Sequence, residues 1–431
     1  MASPPDTEPS ASLPAAGPVA PGRFGRIAFR ELGDQVVVFL STLAINLAAF
    51  AILFLASLNL PASDFAKLSL AAGLVPVVAA VLDLGSNQTC LKLSFEHDDL
   101  RFLGLNLVVK GFFLACVLPA AVLAYGLGFD LDRIVIGAAG AGMAFWGATR
   151  VLEQRRREFR RLAALNAGLA VTRLLLGAAA LLAQSWIAVL AALHVLAQIP
   201  LHLFSVRRIA VLAGEARWRD AATILRISPV MFVSGLLYSS MPVLTQWLVF
   251  RSNDAAAAAA MGIVLIFLAP LDLVGSTLRI YLLPEVLGKP LRRIRVFGLE
   301  EAGLGWLAVG FVAAILAGTA AVTLFIHAVY GVKYPQATQF FLVYFGAMAL
   351  ALPVGLLNVR SQRGSLARVE AAVNVVRFGA TATLGLFALS PFAVVAISAG
   401  IMLGGELALG ALLTLAGNSA WAGSFSARGR D

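Results

Sequence analysis

Long apolar runs separated by short polar breaks make up nearly the whole chain. Twelve such runs fall at about 35–59, 66–84, 103–127, 134–150, 162–183, 185–205, 227–250, 256–278, 304–328, 338–358, 371–389 and 391–417. A helix needs about 20 mostly apolar residues to cross a bilayer. Barrel strands would alternate in polarity at every second residue, and these runs do not. Lipid leaves backbone polar groups no partner outside the chain, so each run reads as a membrane-spanning α-helix. The expected fold is an all-α integral membrane protein of about 12 transmembrane helices.

Charge sets the orientation. With the N-terminus inside, the two tails and the even-numbered connections hold 26 of the 33 basic residues, and the odd-numbered connections hold only Lys67, Arg133, Arg251 and Lys333. Basic loops stay cytoplasmic, so both termini are expected there. Composition agrees: 60% of residues are hydrophobic and 13% charged, against about 25% charged in a soluble domain. The net charge of +10 reads as orientation and contact with anionic lipid, not nucleic-acid binding. The loops are short and no GxxxxGK[ST] phosphate loop occurs, which argues against an ATP-driven pump or an enzyme with a large extramembrane domain. Cys90 and Cys116 suggest neither a disulfide framework nor a metal site, and no cofactor is expected.

One stretch recurs. Residues 64–86 read DFAKLSLAAGLVPVVAAVLDLGS, and residues 254–276 read DAAAAAAMGIVLIFLAPLDLVGS. The copies lie on spans 2 and 8. Six spans apart means the same orientation, a parallel repeat about a pseudo-twofold axis along the membrane normal. Gly85, Ser86 and Asn87 read as helix-ending residues. Asp83 and Asp272 are acids close to the membrane, where a carboxylate is costly unless paired or facing water. A cavity-facing role in substrate binding is their functional reading.

The stretch LASLNLPASDFAKLSLAAGLVPVVAAVLDLGSNQTCLKLS, with ISPVMFVSGLLYSSMPVLTQWLVFRSNDAAAAAAMGIVLIFLAPLDL in the second half, resembles the bacterial polysaccharide and O-antigen flippases (Wzx-type). These belong to the multidrug/oligosaccharidyl-lipid/polysaccharide exporter superfamily. The resemblance implies two six-helix lobes around a central cavity and alternating access. It also implies an undecaprenyl-diphosphate-linked oligosaccharide as cargo, with a glycan polymerase and assembly proteins as partners. The expected organisation is a disordered tail (1–30), a first lobe (31–208), a linker (209–226), a second lobe (227–417) and a second tail (418–431). The rivals are an ion-coupled multidrug exporter of the same superfamily and, further off, a membrane-bound glycan polymerase or acyltransferase.

Three bases fall inside spans, each with an amide on its face: Lys110 with Asn106, Arg173 with Asn166, and Arg377 with Asn374. A lone base at that depth costs about 2.5–3.5 kcal/mol on insertion scales. A cationic cavity for a phosphate-bearing lipid is the functional reading, since an Arg fork matches phosphate oxygens. Snorkelling or internal pairing is the alternative, and it is preferred for Arg150 at the end of span 4. The Arg173 and Arg377 stripes are expected at equivalent places in the two lobes. Glu406 in IMLGGELALG is expected to pair with Arg377, its rival role being a coupling-proton carrier. His194 and His202 on span 6 read as buried hydrogen-bonding residues.

Overall fold

The computed structural model describes residues 21–427 apart from 98, 157, 215, 270–300 and 358–365, and no strand occurs among them. The first half contains α1 (Pro21–Asn59), α2 (Ala62–Asp83), a short α3 (Ser86–Glu96), α4 (Arg101–Gly126), α5 (Leu131–Arg155), α6 (Phe159–Leu182), α7 (Trp186–His194) and α8 (Ile199–Ala213). The second half contains α9 (Asp220–Phe250), α10 (Ala255–Ala269), α11 (Glu301–Tyr330), α12 (Ala337–Leu357), α13 (Leu366–Thr383) and α14 (Pro391–Ala427). Each of the twelve apolar runs is mostly helical over its described part, the eleventh leaving the α-helix at Thr383 for a 3-10 turn over Leu384–Leu386. Among the described residues eight helical segments are long and apolar enough to cross a membrane, α7 and α8 together forming one of them, and three shorter apolar stretches lie in α10, α11 and α12. Arg368, Glu370 and Arg377 dilute the apolar character of α13.

Two details depart from the sequence reading. Helix α1 begins at Pro21, inside the tail expected to be disordered, and α14 continues to Ala427. Span 6 is not one helix. Helix α7 stops at His194, Val195 has φ −113° and ψ −65°, and a 3-10 turn over Leu196–Gln198 leads into α8. Pro200 supplies the reason: it has no N–H for the Leu196 carbonyl, and its ring crowds that oxygen.

The helices pack as two copies of one pattern. In the first half α1 packs on α6, α4 on α5, and α7 on α1, α5 and α6. In the second half α9 packs on α13, α11 on α12, and α14 on α9, α12 and α13. Substituting span n+6 for span n turns the first set into the second. The last span of each lobe also starts alike. Ser185 Oγ accepts from Ala188 N at 3.5 Å, and Ser390 Oγ accepts from Ala393 N at 3.3 Å, both as helix N-caps.

Between the lobes, α2 and α3 run along α9. One buried core joins Phe65 and Leu68 of α2 to Ala257–Ala260, Met261 and Val264 of α10 and to Phe340, Phe341 and Tyr344 of α12. All four of these alanines are fully buried. Small side chains let helices approach closely without any polar contact, which is the work of the alanine run.

The bundle has a basic end, where the Arg-rich connections lie, and a far end. At the far end the α11–α12 turn closes over the α1–α2 turn. Lys333 Nζ donates to the carbonyls of Ser57, Leu58 and Leu60 at 2.8, 2.9 and 2.9 Å. Those are the free carbonyls at the C-terminus of α1, where a cation also meets the negative end of the helix dipole. Tyr330 Oη lies 2.7 Å from Ser57 Oγ. Burial pushes the Tyr334 phenol up to about 12, so it stays protonated and donates to the Ser57 carbonyl at 3.2 Å.

Lys333→Met should therefore loosen the far end. In a Ser57→Cys background, labelling by a membrane-impermeant thiol reagent should speed up several-fold when Lys333→Met is added. An unchanged labelling rate would show that this turn does not hold the far end shut.

Candidate functional site

The recurrent DLGSN stretch forms a polar knot. Leu84 (φ 50°) and Gly85 (φ 71°) end α2 in consecutive left-handed positions, and α3 starts at Ser86. Glycine is required at 85 on two counts. Its φ is positive, and a Cβ there would lie 2.8 Å from both Phe232 N and Ser228 O of α9. The turn brings Asp83 and Asn87 up to α4. Lys110 Nζ donates to Asp83 Oδ1, and to Asn87 Oδ1 at 2.7 Å. Asn106 Nδ2 donates to the same Asn87 oxygen at 2.8 Å, and Ser86 Oγ sits 2.8 Å from Asn106 Oδ1. Lys110 is 2% exposed and Asp83 18%. The Lys110–Asn106 face expected from sequence is present, but its charge is spent on Asp83 within the first lobe.

Nearby contacts tie the knot to the second lobe and to α5. Ser228 Oγ donates to Thr89 Oγ1 at 3.2 Å, and Arg101 Nε meets Asp220 Oδ2 at 3.2 Å. A Cβ at Gly147 would lie 2.7 Å from Asn87 Nδ2, so any larger residue on α5 there would displace the Asn87 amide.

The second lobe holds a second closed pair. Arg377 Nη1 donates to Asn374 Oδ1 at 3.0 Å and to Glu406 Oε1 at 3.1 Å, while Nη2 reaches the Met402 carbonyl at 3.3 Å. Arg377 is 3% exposed and Glu406 5%. A Cβ at Gly405 would overlap the guanidinium, so Gly405 is what lets Arg377 lie flat on α14.

The amides carry the repeat down to side chains. Asn166 Nδ2 donates to Ser41 Oγ at 3.1 Å, from α6 to α1. Asn374 Nδ2 donates to Ser234 Oγ at 3.1 Å, from α13 to α9. These are equivalent helices in the two lobes. The arginines are not equivalent, contrary to the sequence reading. Arg173 follows its amide by seven residues and Arg377 by three, so they sit about one turn apart.

Arg173 stands apart in another way. Its Nε donates to the Leu193 carbonyl at the break in span 6, at 3.1 Å, and this is its only hydrogen bond among the described residues. It has no carboxylate partner among them. His194 is the next residue, and neither of its ring nitrogens, both buried, has a hydrogen-bond partner. The sequence reading of His194 as a buried hydrogen-bonding residue thus finds no partner for its ring among the described residues. Arg150 is exposed near the end of α5. Asp272 lies outside the described residues. No group of His, Cys, Asp or Glu with metal-binding geometry occurs among the described residues.

The Arg377–Glu406 pair has a measurable signature. Glu406→Gln and Arg377→Gln should each destabilise the protein by about 3–5 kcal/mol, since each strands a buried charge. The double variant should recover part of that loss in a thermal or denaturant unfolding series. Strictly additive losses would show that the two groups do not depend on each other.

No protein-family model matches the sequence, and no curated protein matches it. Solved structures do match in shape. An inward-facing multidrug resistance MATE family transporter of the MOP superfamily superimposes with a TM-score of 0.60 at 14% identity, over 88% of this chain and 97% of that one. An outward-facing structure of such a transporter gives 0.58 at 14% identity, over 90% and 96%. A MOP superfamily transporter from Pyrococcus furiosus, described by the reverse polarity of its binding pocket, gives 0.59 at 14% identity, over 89% and 95%. The chain thus has the two-lobed, all-helical membrane fold of the MATE transporters of the MOP superfamily.

Proposed function

We propose that the protein is an alternating-access transporter, not an enzyme, and that it flips an undecaprenyl-diphosphate-linked oligosaccharide from the cytoplasmic to the outer face of the bacterial inner membrane. One observation carries the choice of cargo. Of the three bases inside spans, Lys110 is answered by Asp83 and Arg377 by Glu406. Arg173 has no carboxylate partner among the described residues. An unanswered cation inside a membrane protein favours an anionic cargo, since bound cargo then supplies the missing charge. A diphosphate offers the oxygen geometry that a guanidinium fork matches. The cargo must bind the two end states differently to drive exchange between them, and in this reading Arg173 makes that difference.

The similar structures described as multidrug resistance transporters support a second reading, an ion-coupled exporter of organic cations. Against it stands the sign of the charge at Arg173. The Pyrococcus furiosus neighbour, with its reversed pocket polarity and suggested different function, supports reading cargo from charge and not from fold.

Arg173→Ala should lower export of the lipid-linked glycan by about tenfold or more, with protein abundance near normal, and Arg173→Lys should restore only part of it. Efflux of a cationic dye, unchanged or raised in Arg173→Ala while glycolipid export is also unchanged, would favour the multidrug reading. Orientation is tested separately. A reporter fused after residue 130 should read outside and one after residue 156 inside, and the opposite result at both would reverse the topology.

A further inference from the structure

The last span of each lobe occupies an equivalent place, yet only the first lobe's is broken: α14 runs unbroken over Pro391–Ala427, whereas α7 and α8 are separated by a 3-10 turn. Breaking a helix inside a membrane exposes backbone groups that something must answer. Two donors from α6 do so. Thr172 Oγ1 donates to the Ala197 carbonyl at 3.1 Å, and Arg173 Nε donates to the Leu193 carbonyl at 3.1 Å.

Capping one carbonyl needs one N–H. Arginine brings five, and both terminal amino groups of Arg173 are without a hydrogen bond among the described residues. Beside it, the imidazole of His194 has two buried, unmatched nitrogens, and the guanidinium is bonded to the carbonyl of the residue just before it. Burying an unmatched polar ring is costly. Burying one against an unneutralised guanidinium is worse, unless a ligand of opposite charge completes the set. By helix rise, His194 lies about 12 Å and Arg173 about 14 Å from the far ends of α7 and α6. That is the depth at which a broken helix is tolerated because it lines a binding site.

We infer that the break between α7 and α8 is a binding site for a phosphate-type oxyanion, held by the terminal amino groups of Arg173 and a ring N–H of His194. Thr172 and the Leu193 carbonyl act as positioning groups, since they fix the break and aim the guanidinium. The inference rests on the anionic-cargo reading and deepens it by adding His194 and the break in span 6. Lipid-linked cargo and ordinary phospholipid both present this chemistry.

The test uses full-length purified protein in detergent with ring-15N histidine. There are four histidines, so the His194 resonances are assigned by their loss in His194→Gln. Three probes are compared: undecaprenyl phosphate, inorganic pyrophosphate and phosphatidylglycerol. Undecaprenyl phosphate and pyrophosphate should each shift the His194 ring resonances and raise the thermal midpoint. Arg173→Ala should abolish both effects. His194→Ala should weaken binding by about tenfold or more, as expected for a lost hydrogen bond to a charged group, and His194→Gln, which keeps an N–H donor, should weaken it less. If phosphatidylglycerol acts as well as undecaprenyl phosphate, the oxyanion site stands and the glycolipid cargo falls. If no probe moves the His194 resonances, the site is overturned, whereas Arg173-dependent export could still stand.

Discussion

Inside a bilayer no water is at hand, so each polar atom on a spanning helix has to be answered by another polar atom. That requirement organises this protein more than apolar packing does, because lipid tails satisfy an apolar side chain as well as a neighbouring helix would. The pairings it enforces are specific. Asn166 fixes α6 against α1 through Ser41, and Asn374 fixes α13 against α9 through Ser234. Lys110 holds α4 against the α2–α3 turn through Asp83, and Arg377 holds α13 against α14 through Glu406. Small residues make room for these groups. Gly405 admits the Arg377 side chain and Gly147 admits that of Asn87.

The two lobes share a frame and differ in where charge sits on it. Helix pairs, serine caps and the two amide–serine bonds repeat from one lobe to the other. The ion pairs do not repeat. In the first lobe the pair joins spans 2 and 3, and in the second it joins spans 11 and 12. The first lobe alone combines a broken sixth span with an arginine that no carboxylate answers among the described residues. A duplicated scaffold supplies the rigid frame, and departures from the duplication are where a cargo-specific site can arise.

The far end closes over the buried core of Phe65, Ala257–Ala260, Tyr334 and Phe340 as well as through hydrogen bonds, and the basic end closes where α3 and α4 meet α9. Lys333, Tyr330 and Tyr334 reach the end of α1 mostly through backbone acceptors. At the basic end α3 packs along α9 through Thr89–Ser228, and the start of α4 meets α9 through Arg101–Asp220. The hydroxyl contacts at the far end are buried, with Ser57 and Tyr334 0% exposed and Tyr330 1%, and each hydrogen bond contributes about 0.5–1.5 kcal/mol net.

The sequence by itself determined the class, the span positions, the parallel repeat and the residues that would need partners. Those follow from local quantities: run length, loop charge and the separation of Asp64–Asp83 from Asp254–Asp272. It also carried the Arg377–Glu406 pairing, because a two-residue turn makes spans 11 and 12 neighbours. Tertiary structure decided the rest. Asp83 and Lys110 are 27 residues apart, and only the double left-handed turn at Leu84 and Gly85 folds the DLGSN stretch back onto α4. The apolar run over 185–205 read as one span, and nothing local indicated that it would break before Pro200, that Arg173 would cap the opened backbone or that His194 would be left unmatched. Hydropathy ranks residues one at a time, whereas an unmatched donor is a property of what three-dimensional packing leaves around it.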